Sequence, residues 1–360
     1  MTEATLAELR EAIRQTDREL VSLLERRARI SLQIGTLKKE LGRDVYDPAQ
    51  EARIFAYVAG VSQGVLSEAA LRAIYREIIS ASRALQRSLT VSYLGPEASF
   101  SHLAAVRHFG AGASFAPAVA IATVFAEVEQ GRAHLGIVPV ENSLEGAVNV
   151  TLDGLIATPL SIRQEVYLRI SQCLLAEKPE LEGIDRVYSH PQALAQCREW
   201  LHHHLPGARL VEVESTATAA RMVSQGGGGA AIGSRLAADV YGLAVIAEGI
   251  EDHRLNTTRF IVIGTGESDP TGQDKTSIIF GAAHLPGSLH HALAPFAERG
   301  VNLVKIQSHP VRERLWEYLF FVDFAGHVKD GKIRQCLEGL QQRATFVKVL
   351  GSYPQGEELR

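Results

Sequence analysis

The chain has 360 residues, enough for two or three domains, and it is 46% hydrophobic and 22% charged, as is usual for globular proteins. Its 37 Lys and Arg against 41 Asp and Glu argue against general nucleic-acid binding. No apolar run suits a membrane span, and the acidic, helical N-terminus does not resemble a secretion signal. Three cysteines without a CxxC pair suit a reducing compartment, so we expect a cytoplasmic protein.

Residues 1–90 have the pattern of an all-helical domain. Apolar residues at helical spacing from Leu6 to Leu41, with no proline before Pro48, predict one helix of about 55 Å over residues 5–41. A compact 90-residue domain has a radius of gyration of only about 12 Å, so this helix cannot bury its apolar stripe against its own chain alone. We therefore expect dimerisation through it, with shorter helices near 48–61 and 67–86.

Cations are concentrated on the long helix. Arg27 and Lys38 are three turns apart and share one face, with about 16 Å between them along the axis. They could bracket a small dianion, although a cationic helix face is more often simply solvated. Arg10 lies about 25 Å from Arg27. It can enter the same site only from the other chain of an antiparallel dimer.

From residue 91 to about 265, short apolar runs alternate with helical segments. This pattern predicts an α/β domain with a largely parallel sheet. Polar sequences occur where strands begin or end: "VPVENSLEGAVN" (138–149), "YSHPQALAQC" (188–197) and "NTTRF" (256–260). Each alone could be a cap or a turn. Together they indicate a small anionic, hydroxyl-bearing ligand, since loops after strands and helix N-termini bind such molecules.

The last part of the chain follows a Gly/Asp/Pro linker at 264–275. Over residues 274–353 the predicted order is βαββαβ, the ferredoxin-like arrangement, with a strand that begins at Trp316 and helices at 287–299 and 329–343.

Residues 1–88 resemble the all-helical chorismate mutases, through "LREAIRQTDRELVSLLERRARISLQIG", Lys38, "YDPAQE" and "IYREIISASRALQ". The resemblance implies an interlocked helical dimer that rearranges chorismate to prephenate. It assigns the substrate carboxylates to Arg27 and the partner subunit's Arg10, and the ether oxygen to Lys38 and Gln86. It also implies the remaining contacts, from Asp47, Glu51 and Ser82. Gln50 stands where the family usually has arginine, so the mutase activity is expected to be affected.

Residues 93–263 resemble the prephenate dehydratases, through "YLGPEASFSHLAA", "VPVENSLEGAVN", "YSHPQ", "AAIGSRLAADVYGL" and "NTTRF". The resemblance implies two α/β lobes around a cleft, like type II periplasmic binding proteins, and loss of CO2 and water from prephenate without cofactor or metal. It makes Thr258 the acid and has Arg259 orient this motif or a carboxylate. Its remaining substrate-binding positions are Ser101, Glu141, Asn142, Ser189, Gln196 and Phe260. Ala98 and Ser99 replace the family's usual glycine and threonine.

The C-terminal segment resembles an ACT domain, through "PGSLHHALAPFAERGVNLVKIQSHP" and "WEYLFFVDFAGH". In this family ACT pairs bind phenylalanine as an inhibitor. The implied regulatory residues are Gly287, Leu289, Asn302, Leu303, Gln307 and Ser308. The usual Glu-Ser-Arg-Pro loop reads Gln307 to Pro310 here, with His309 in place of arginine. Since this removes two opposite charges, we expect weakened phenylalanine control.

The whole chain thus resembles the bifunctional chorismate mutase/prephenate dehydratases of phenylalanine biosynthesis. The expected ligands are chorismate, prephenate and L-phenylalanine, in a homodimer or higher homo-oligomer without nucleic-acid or membrane partners. Two alternatives remain open. One is a non-catalytic amino-acid sensor, since two of the three folds are binding scaffolds. The other is a dehydratase whose mutase domain serves only for dimerisation.

Overall fold

The computed structural model describes residues 3–253, 255–310, 318–356 and 358–359. The chain forms two compact units. The first contains residues up to 89 together with 109–114, and the second contains residues 90–108 and those from 115 onward.

The first unit is built from three helices: α1 (Glu3–Glu40), α2 (Pro48–Val61) and α3 (Glu68–Gln86). Asp47 begins α2 by accepting a hydrogen bond from the Gln50 amide at 2.9 Å, and proline occupies the first turn. Ser67 caps α3 in the same way through the Ala70 amide. The predicted long helix and both shorter helices are therefore confirmed.

Close packing of α1 against α3 depends on Gly35. A Cβ atom at this position would lie 2.7 Å from Cγ of Gln86, so only glycine leaves room for that side chain. The apolar stripe of α1 stays largely open within one chain, since Leu9, Ile13 and Leu37 are all more than half exposed. Burying this stripe requires a second surface.

After the three helices comes a lobe that contains β1 (Leu89–Leu94), α4 (Phe100–Phe109), β2 (Ala113–Ala118), α5 (Ile121–Glu129), β3 (Leu135–Asn142), β4 (Gly146–Ala147), α6 (Asn149–Ala157) and β5 (Ser161–Arg169). Of these elements, only Leu89, Phe109 and the first two residues of β2 are counted with the first unit. A second lobe follows, with β6 (Cys173–Ala176), β7 (Arg186–Ser189), α7 (Pro191–Gln196), α8 (Arg198–His204), β8 (Arg209–Glu212), α9 (Thr216–Met222), the π-helical turn Val223–Gly227, β9 (Ala230–Gly233), α10 (Arg235–Tyr241) and β10 (Ala244–Glu248). The chain then returns to the first lobe as β11 (Thr257–Gly264).

Each lobe has its own sheet, with strand orders β5-β11-β3-β1-β2 and β10-β6-β9-β7-β8. The prediction of a largely parallel sheet is wrong, because both sheets are mixed. β3 pairs with β1 in parallel, but β11 is antiparallel to both β3 and β5. In the first sheet the returning strand causes this, since β11 enters from the second lobe. In the second sheet, β6 is antiparallel to β9 and β10, while β7 is parallel to β8 and β9.

Two chain crossings connect the lobes, between β5 and β6 and between β10 and β11. They are hydrogen-bonded to each other, since the Ile170 amide donates to the Asn256 carbonyl and the Ile250 amide donates to the Gln172 carbonyl. The predicted two-lobed α/β arrangement is therefore confirmed, with the two crossings side by side at the junction.

The ACT-like module consists of β12 (Asp274–Gly281), α11 (Ser288–Glu298), β13 (Leu303–Pro310), β14 (Tyr318–Ala325), α12 (Gly331–Gln341) and β15 (Phe346–Pro354). The short β16 (Glu358–Leu359) then pairs with β5. The sheet order β13-β14-β12-β15 and its antiparallel pairings confirm the ferredoxin-like prediction. The predicted start at Trp316 lies outside the described residues.

The ACT-like sheet is covered on both faces. Phe280 and Val322 pack with helices α11 and α12, while Ile279, Phe321 and Tyr353 join the core of the first lobe. This follows from the two-residue period of strands, which directs Ile279 and Phe280 to opposite faces. Among the helices of the described ranges, even the 38-residue α1 lacks the apolarity that a bilayer crossing requires.

Candidate active sites

In the helical unit, α1 and α3 bring together two of the predicted residues. Arg27 donates from its guanidinium to the Ser82 hydroxyl, which itself donates to the Ile78 carbonyl at 2.7 Å. Lys38 lies at the other end of the same face. Its ammonium group donates to the Val45 carbonyl at 3.1 Å and lies 4.0 Å from a carboxylate oxygen of Asp47. The cations are thus held by oxygen atoms of the loop and of α3.

Gln86 projects from the end of α3 toward α1. Its side-chain amide nitrogen donates to the Ser31 hydroxyl at 2.9 Å, while its buried Oε1 atom has no hydrogen-bond partner among the described residues. A buried polar atom of this kind is costly unless a ligand or water completes it. Gln86 therefore presents an unsatisfied polar group at the predicted substrate position.

Glu51 is paired with Arg83, which sequence reasoning missed. The guanidinium of Arg83 lies 2.9 Å from Oε1 of Glu51, donates to the Phe109 carbonyl at 2.6 Å, and stands over the ring of Tyr46. Burial raises the pKa of Glu51 above its usual range, and Arg83 opposes that shift. The sequence did contain a signal, because Arg83 follows Ile79 by four residues on the buried face of α3.

Arg10 and Gln50, which were also named from the sequence, lie apart from the residues described above. Arg10 lies on an exposed part of α1, more than four turns before Arg27. Gln50 is exposed, and its side-chain oxygen accepts a long hydrogen bond from Arg53 at 3.4 Å.

In the α/β lobes, the pairing of β3 with β11 sets Asn142 directly opposite Thr258. Oδ1 of Asn142 accepts hydrogen bonds from the Leu144 and Glu145 amides, at 2.9 and 3.2 Å. The turn therefore fixes which end of the side-chain amide faces Thr258. Nδ2 of Asn142 donates to Oγ1 of Thr258 at 2.9 Å.

Asn256 extends this chain of amides to the other lobe. Its Oδ1 accepts from Asn142 at 2.8 Å, and its Nδ2 donates to Oε1 of Gln196 on α7 at 3.2 Å. The resulting sequence Gln196–Asn256–Asn142–Thr258 crosses from one lobe to the other. Asn256 is only 2% exposed and is not among the predicted site residues, although it opens the "NTTRF" motif.

A cavity adjoins these amides. Its volume is about 570 Å³, which suits a small-molecule substrate. Leu144 and Glu145 line it from the turn after β3, Gln196 from α7, and Asp252 and His253 from the second crossing. The cavity thus lies between the lobes and is bordered by the "VPVENSLEGAVN" segment on one side and the "YSHPQALAQC" segment on the other.

Four other predicted positions lie elsewhere. Phe260 is 1% exposed inside the first sheet, and Ser101 is buried near the start of α4. Ser189 ends β7, and its hydroxyl donates to the Ile232 carbonyl at 2.8 Å. Glu141 pairs instead with Lys305 of the ACT-like module at 2.7 Å. Strand alternation explains this, since Glu141 and Asn142 must point to opposite faces.

Arg259 likewise points away from Thr258. It is 7% exposed and binds Glu165 at 2.9 Å, Asp323 at 2.6 Å and the Tyr353 hydroxyl at 3.1 Å. Burial alone would lower the pKa of Arg259, but Tyr353, Asp323 and Glu165 outweigh burial and raise that pKa. The guanidinium therefore stays charged, and it faces the ACT-like sheet.

Ala98 adopts a left-handed conformation, with φ of 66°, which glycine tolerates far better than alanine. Its amide donates to Nδ1 of His102, and its carbonyl accepts from the Ser234 hydroxyl of the second lobe, both at 3.0 Å. Ser99 keeps a hydroxyl here and donates to the Leu94 carbonyl at 2.9 Å. Three hydrogen bonds thus hold the loop with alanine in the left-handed position.

The ACT-like module has a cavity of about 370 Å³ beside the predicted regulatory residues. It is lined by the loop from Ala282 to Pro286, by Ser288, and by Phe320 of β14. Gly287 stands between that loop and α11 as the N-cap residue of the helix, with φ of 80°, which favours glycine.

The other regulatory positions follow the elements of the ACT-like module. Leu289 packs from α11 into its core, the Asn302 carbonyl accepts from Ala325, and Leu303 begins β13. Gln307 and Ser308 lie on β13, opposite Phe321 and Phe320. His309 is buried, and its Nε2 atom lies 2.8 Å from Oδ1 of Asp153 on α6. Residue 309 thus contacts the first lobe.

Three family sequence models match the chain in succession: chorismate mutase type II over residues 9–87, prephenate dehydratase over 91–268, and the ACT domain over 276–341. The chain is similar to the bifunctional chorismate mutase/prephenate dehydratase of Aquifex aeolicus, with 42% identity over 97% of this chain and 98% of that protein. The Pseudomonas aeruginosa enzyme of the same description is 43% identical over 97% of each chain.

Solved structures agree with these matches. The prephenate dehydratase of Arthrobacter aurescens in complex with L-Phe is 37% identical to this chain, with a TM-score of 0.68. The similarity covers 74% of this chain and 90% of that one.

A helical module, a two-lobed module with an amide-lined cleft and an ACT module define a multidomain enzyme class with a regulatory domain. Within that class, this chain belongs to the family of bifunctional chorismate mutase/prephenate dehydratases, which it matches over nearly its whole length.

Proposed function

We propose that this chain rearranges chorismate to prephenate in its helical module and converts prephenate to phenylpyruvate in its two-lobed module, with phenylalanine as effector of the ACT module. The family membership supports both activities. Within the chain, the hydrogen bond from Asn142 to Thr258 is the contact that supports the dehydratase assignment. No residue in either site has to bind a cofactor for these reactions.

For the mutase reaction, the helical module supplies positive groups and hydrogen-bond donors. A pericyclic rearrangement needs one folded substrate conformer and donors aimed at developing charge, without a nucleophile or a proton transfer. We assign the substrate carboxylates to Arg27 and the partner subunit's Arg10, and the ether oxygen to Lys38 and Gln86. Ser82 orients Arg27, to which it is hydrogen-bonded.

The other half of the mutase site carries negative charge. We assign the ring hydroxyl side to Glu51 and Asp47, which lie at the start of α2. Arg83 then helps to keep Glu51 ionised against the effect of burial.

For the dehydratase reaction, Thr258 acts as the acid. Its oxygen accepts a hydrogen bond from the Asn142 amide, so its own hydroxyl proton can be directed to the hydroxyl group that leaves prephenate. Aromatisation and loss of CO2 drive the elimination, and the protein chiefly assists departure of the hydroxyl. Asn256 and Gln196 hold the amide of Asn142 in register across the cleft.

We further propose a dimer in which each mutase site uses both chains. The exposed apolar stripe of α1 supports this, as does the separation of Arg10 from Arg27 along one helix. Dimerisation through α1 then buries its apolar stripe and also completes the mutase site.

Two alternatives are distinguished by one assay. A non-catalytic amino-acid sensor would form no phenylpyruvate from prephenate. A dehydratase with an inactive mutase domain, for which the exposed Gln50 is the sole argument, would form phenylpyruvate from prephenate but would not consume chorismate. Ultraviolet detection of both substrates and of phenylpyruvate separates the three cases.

The shared mutase site is tested by complementation. Chains with Arg10→Ala and chains with Arg27→Ala should each be inactive in the mutase reaction. Heterodimers of the two contain one intact site, because both changes fall in the other site, so mixing should restore part of the activity. Chorismate consumption is measured on heterodimers isolated with two affinity tags. Heterodimers that remain inactive would refute the shared site.

The role of Thr258 is tested by removing its hydroxyl. Thr258→Ala should lower kcat for prephenate about 10²-fold or more, since a lost catalytic donor typically costs this much. Chorismate mutase activity should stay near the wild-type value, because it belongs to the other unit. The matched control is Thr257→Ala, which removes a hydroxyl from the neighbouring residue on the opposite face of β11. Prephenate turnover in Thr258→Ala within threefold of wild type would exclude this residue as the acid.

Phenylalanine control is tested on β13. The neutral Gln307 and the contact of His309 with Asp153 should make inhibition weaker than in a Gln307→Glu/His309→Arg variant. Dehydratase activity is titrated with phenylalanine for both proteins. Equal inhibition of the two proteins would contradict this prediction.

A further inference from the structure

A buried cluster of charges joins the first lobe to the ACT-like sheet. It contains two cations, Arg259 and Lys275, and two anions, Glu165 and Asp323, and each is at most 7% exposed. Arg259 and Glu165 belong to strands β11 and β5 of the lobe, and Lys275 and Asp323 to strands β12 and β14 of the ACT-like module. Each module contributes one cation and one anion, and the ion pairs Arg259–Asp323 and Lys275–Glu165 connect the two modules.

The cluster is connected by short hydrogen bonds. Lys275 donates to both carboxylate oxygens of Glu165, at 2.7 and 2.9 Å, and Arg259 bridges Glu165 and Asp323. The second oxygen of Asp323 accepts from the Ser277 hydroxyl at 2.5 Å. Asp323 is therefore held in place by Ser277 of its own sheet while it binds Arg259 of the lobe's sheet.

The two sheets are also in close backbone contact. A Cβ atom at Gly351 of β15 would collide with the backbone of Ile162 on β5, so the glycine is required for this approach. A buried charge that loses its partner is costly in free energy. Asp323 and Arg259 should therefore keep their positions relative to each other.

Arg259 is the residue after Thr258 on β11. The register of β11 against β3 shifts directly after Arg259, where β3 contributes Val140 as one additional residue. Such bulges redirect side chains beside functional sites and weaken the local ladder. On its other side β11 stays regularly paired with β5 from Thr257 to Val262, so the side-chain contacts of Arg259 add to this pairing in holding the backbone of Thr258.

We propose that Asp323 of the ACT-like module is a positioning residue for the dehydratase reaction, because it anchors Arg259 and thereby sets the position of the Thr258 hydroxyl. The inference rests on the proposed role of Thr258. It gives the ACT-like module a part in the chemistry of the uninhibited enzyme, besides any binding of an effector.

The test uses the full-length enzyme with Asp323→Asn, which keeps the shape of the side chain and removes its charge. We expect kcat for prephenate to fall roughly tenfold, as mutations that act through a coupled neighbour typically do, with KM within about twofold. Chorismate mutase activity, measured on the same preparation, should be unchanged.

A second variant guards against misfolding through an unbalanced charge. Ser277→Ala leaves all four charges in place. It removes the hydroxyl that is hydrogen-bonded to Asp323 and to the Tyr353 hydroxyl, which in turn accepts from Arg259, so kcat for prephenate should fall roughly threefold. If Asp323→Asn does not fold, this neutral variant decides the question.

Lys348→Met is the matched interface control. Lys348 of β15 donates to the Leu155, Ile156 and Thr158 carbonyls at the end of α6, so it joins the same two modules through backbone carbonyls rather than through the charge cluster. Its loss should leave kcat for prephenate unchanged.

Three results would overturn the proposal. The first is an unchanged kcat for prephenate in Ser277→Ala and in folded Asp323→Asn, and the second is a rise in KM without a fall in kcat in these variants. The third is an equal loss of kcat in Lys348→Met, which would indicate general loosening of the interface. Failure of the proposed function is distinguishable, since it would appear as absent prephenate turnover in the wild type or as full turnover in Thr258→Ala.

Discussion

Side-chain alternation along one strand, β11, determines how the α/β part of this enzyme is organised. Thr258 and Arg259 are consecutive, so they must point to opposite faces of the sheet. One face carries the amide chain and the cleft, and the other meets the ACT-like sheet. The alternation holds equally on β3, where Asn142 faces the cleft and Glu141 pairs with Lys305. The first sheet thus faces the cleft on one side and the ACT-like sheet on the other.

The face toward the ACT-like sheet is polar where a hydrophobic contact would have been simpler. A buried ion pair contributes little net stability compared with well-packed apolar residues, but removing one partner is severely destabilising. The cluster around Arg259 therefore favours one relative position of the two sheets more than it adds stability. Around it, Ile261, Ile279 and Phe321 form an ordinary apolar core. Apolar packing thus stabilises the contact between the two sheets, and the charges determine their relative position.

In the helical unit the same distinction applies. Stability of α1 must come from a partner surface, because its apolar stripe is exposed in one chain. Specific positions come from polar contacts, such as Arg27 with Ser82 and Gln86 with Ser31. Gly35 allows these by leaving space for Gln86. A substrate would complete the open end of the Gln86 amide.

Much of this architecture could be predicted from local sequence. Helical periodicity predicts α1 almost to the residue, and the order of short strands predicts the ferredoxin-like module. The mixed sheets could not be predicted, because strand direction depends on where the chain returns from the second lobe. Thr258 can be identified from its motif, but the environment of Arg259 cannot. Its partners Glu165 and Asp323 lie 94 and 64 residues away, and only an acidic residue within an apolar strand hints at a buried cation.

In the proposed dehydratase reaction, Asn142 donates to Thr258 and so leaves the threonine proton for the departing hydroxyl. Asn142→Asp tests it most directly, because the two amide donors from the following turn can still bind the new carboxylate while its other oxygen can only accept. Thr258 would then donate to residue 142. We expect kcat for prephenate at pH 8 to fall about 10²-fold or more in this variant, with mutase activity retained. A kcat within threefold of the wild-type value would contradict it.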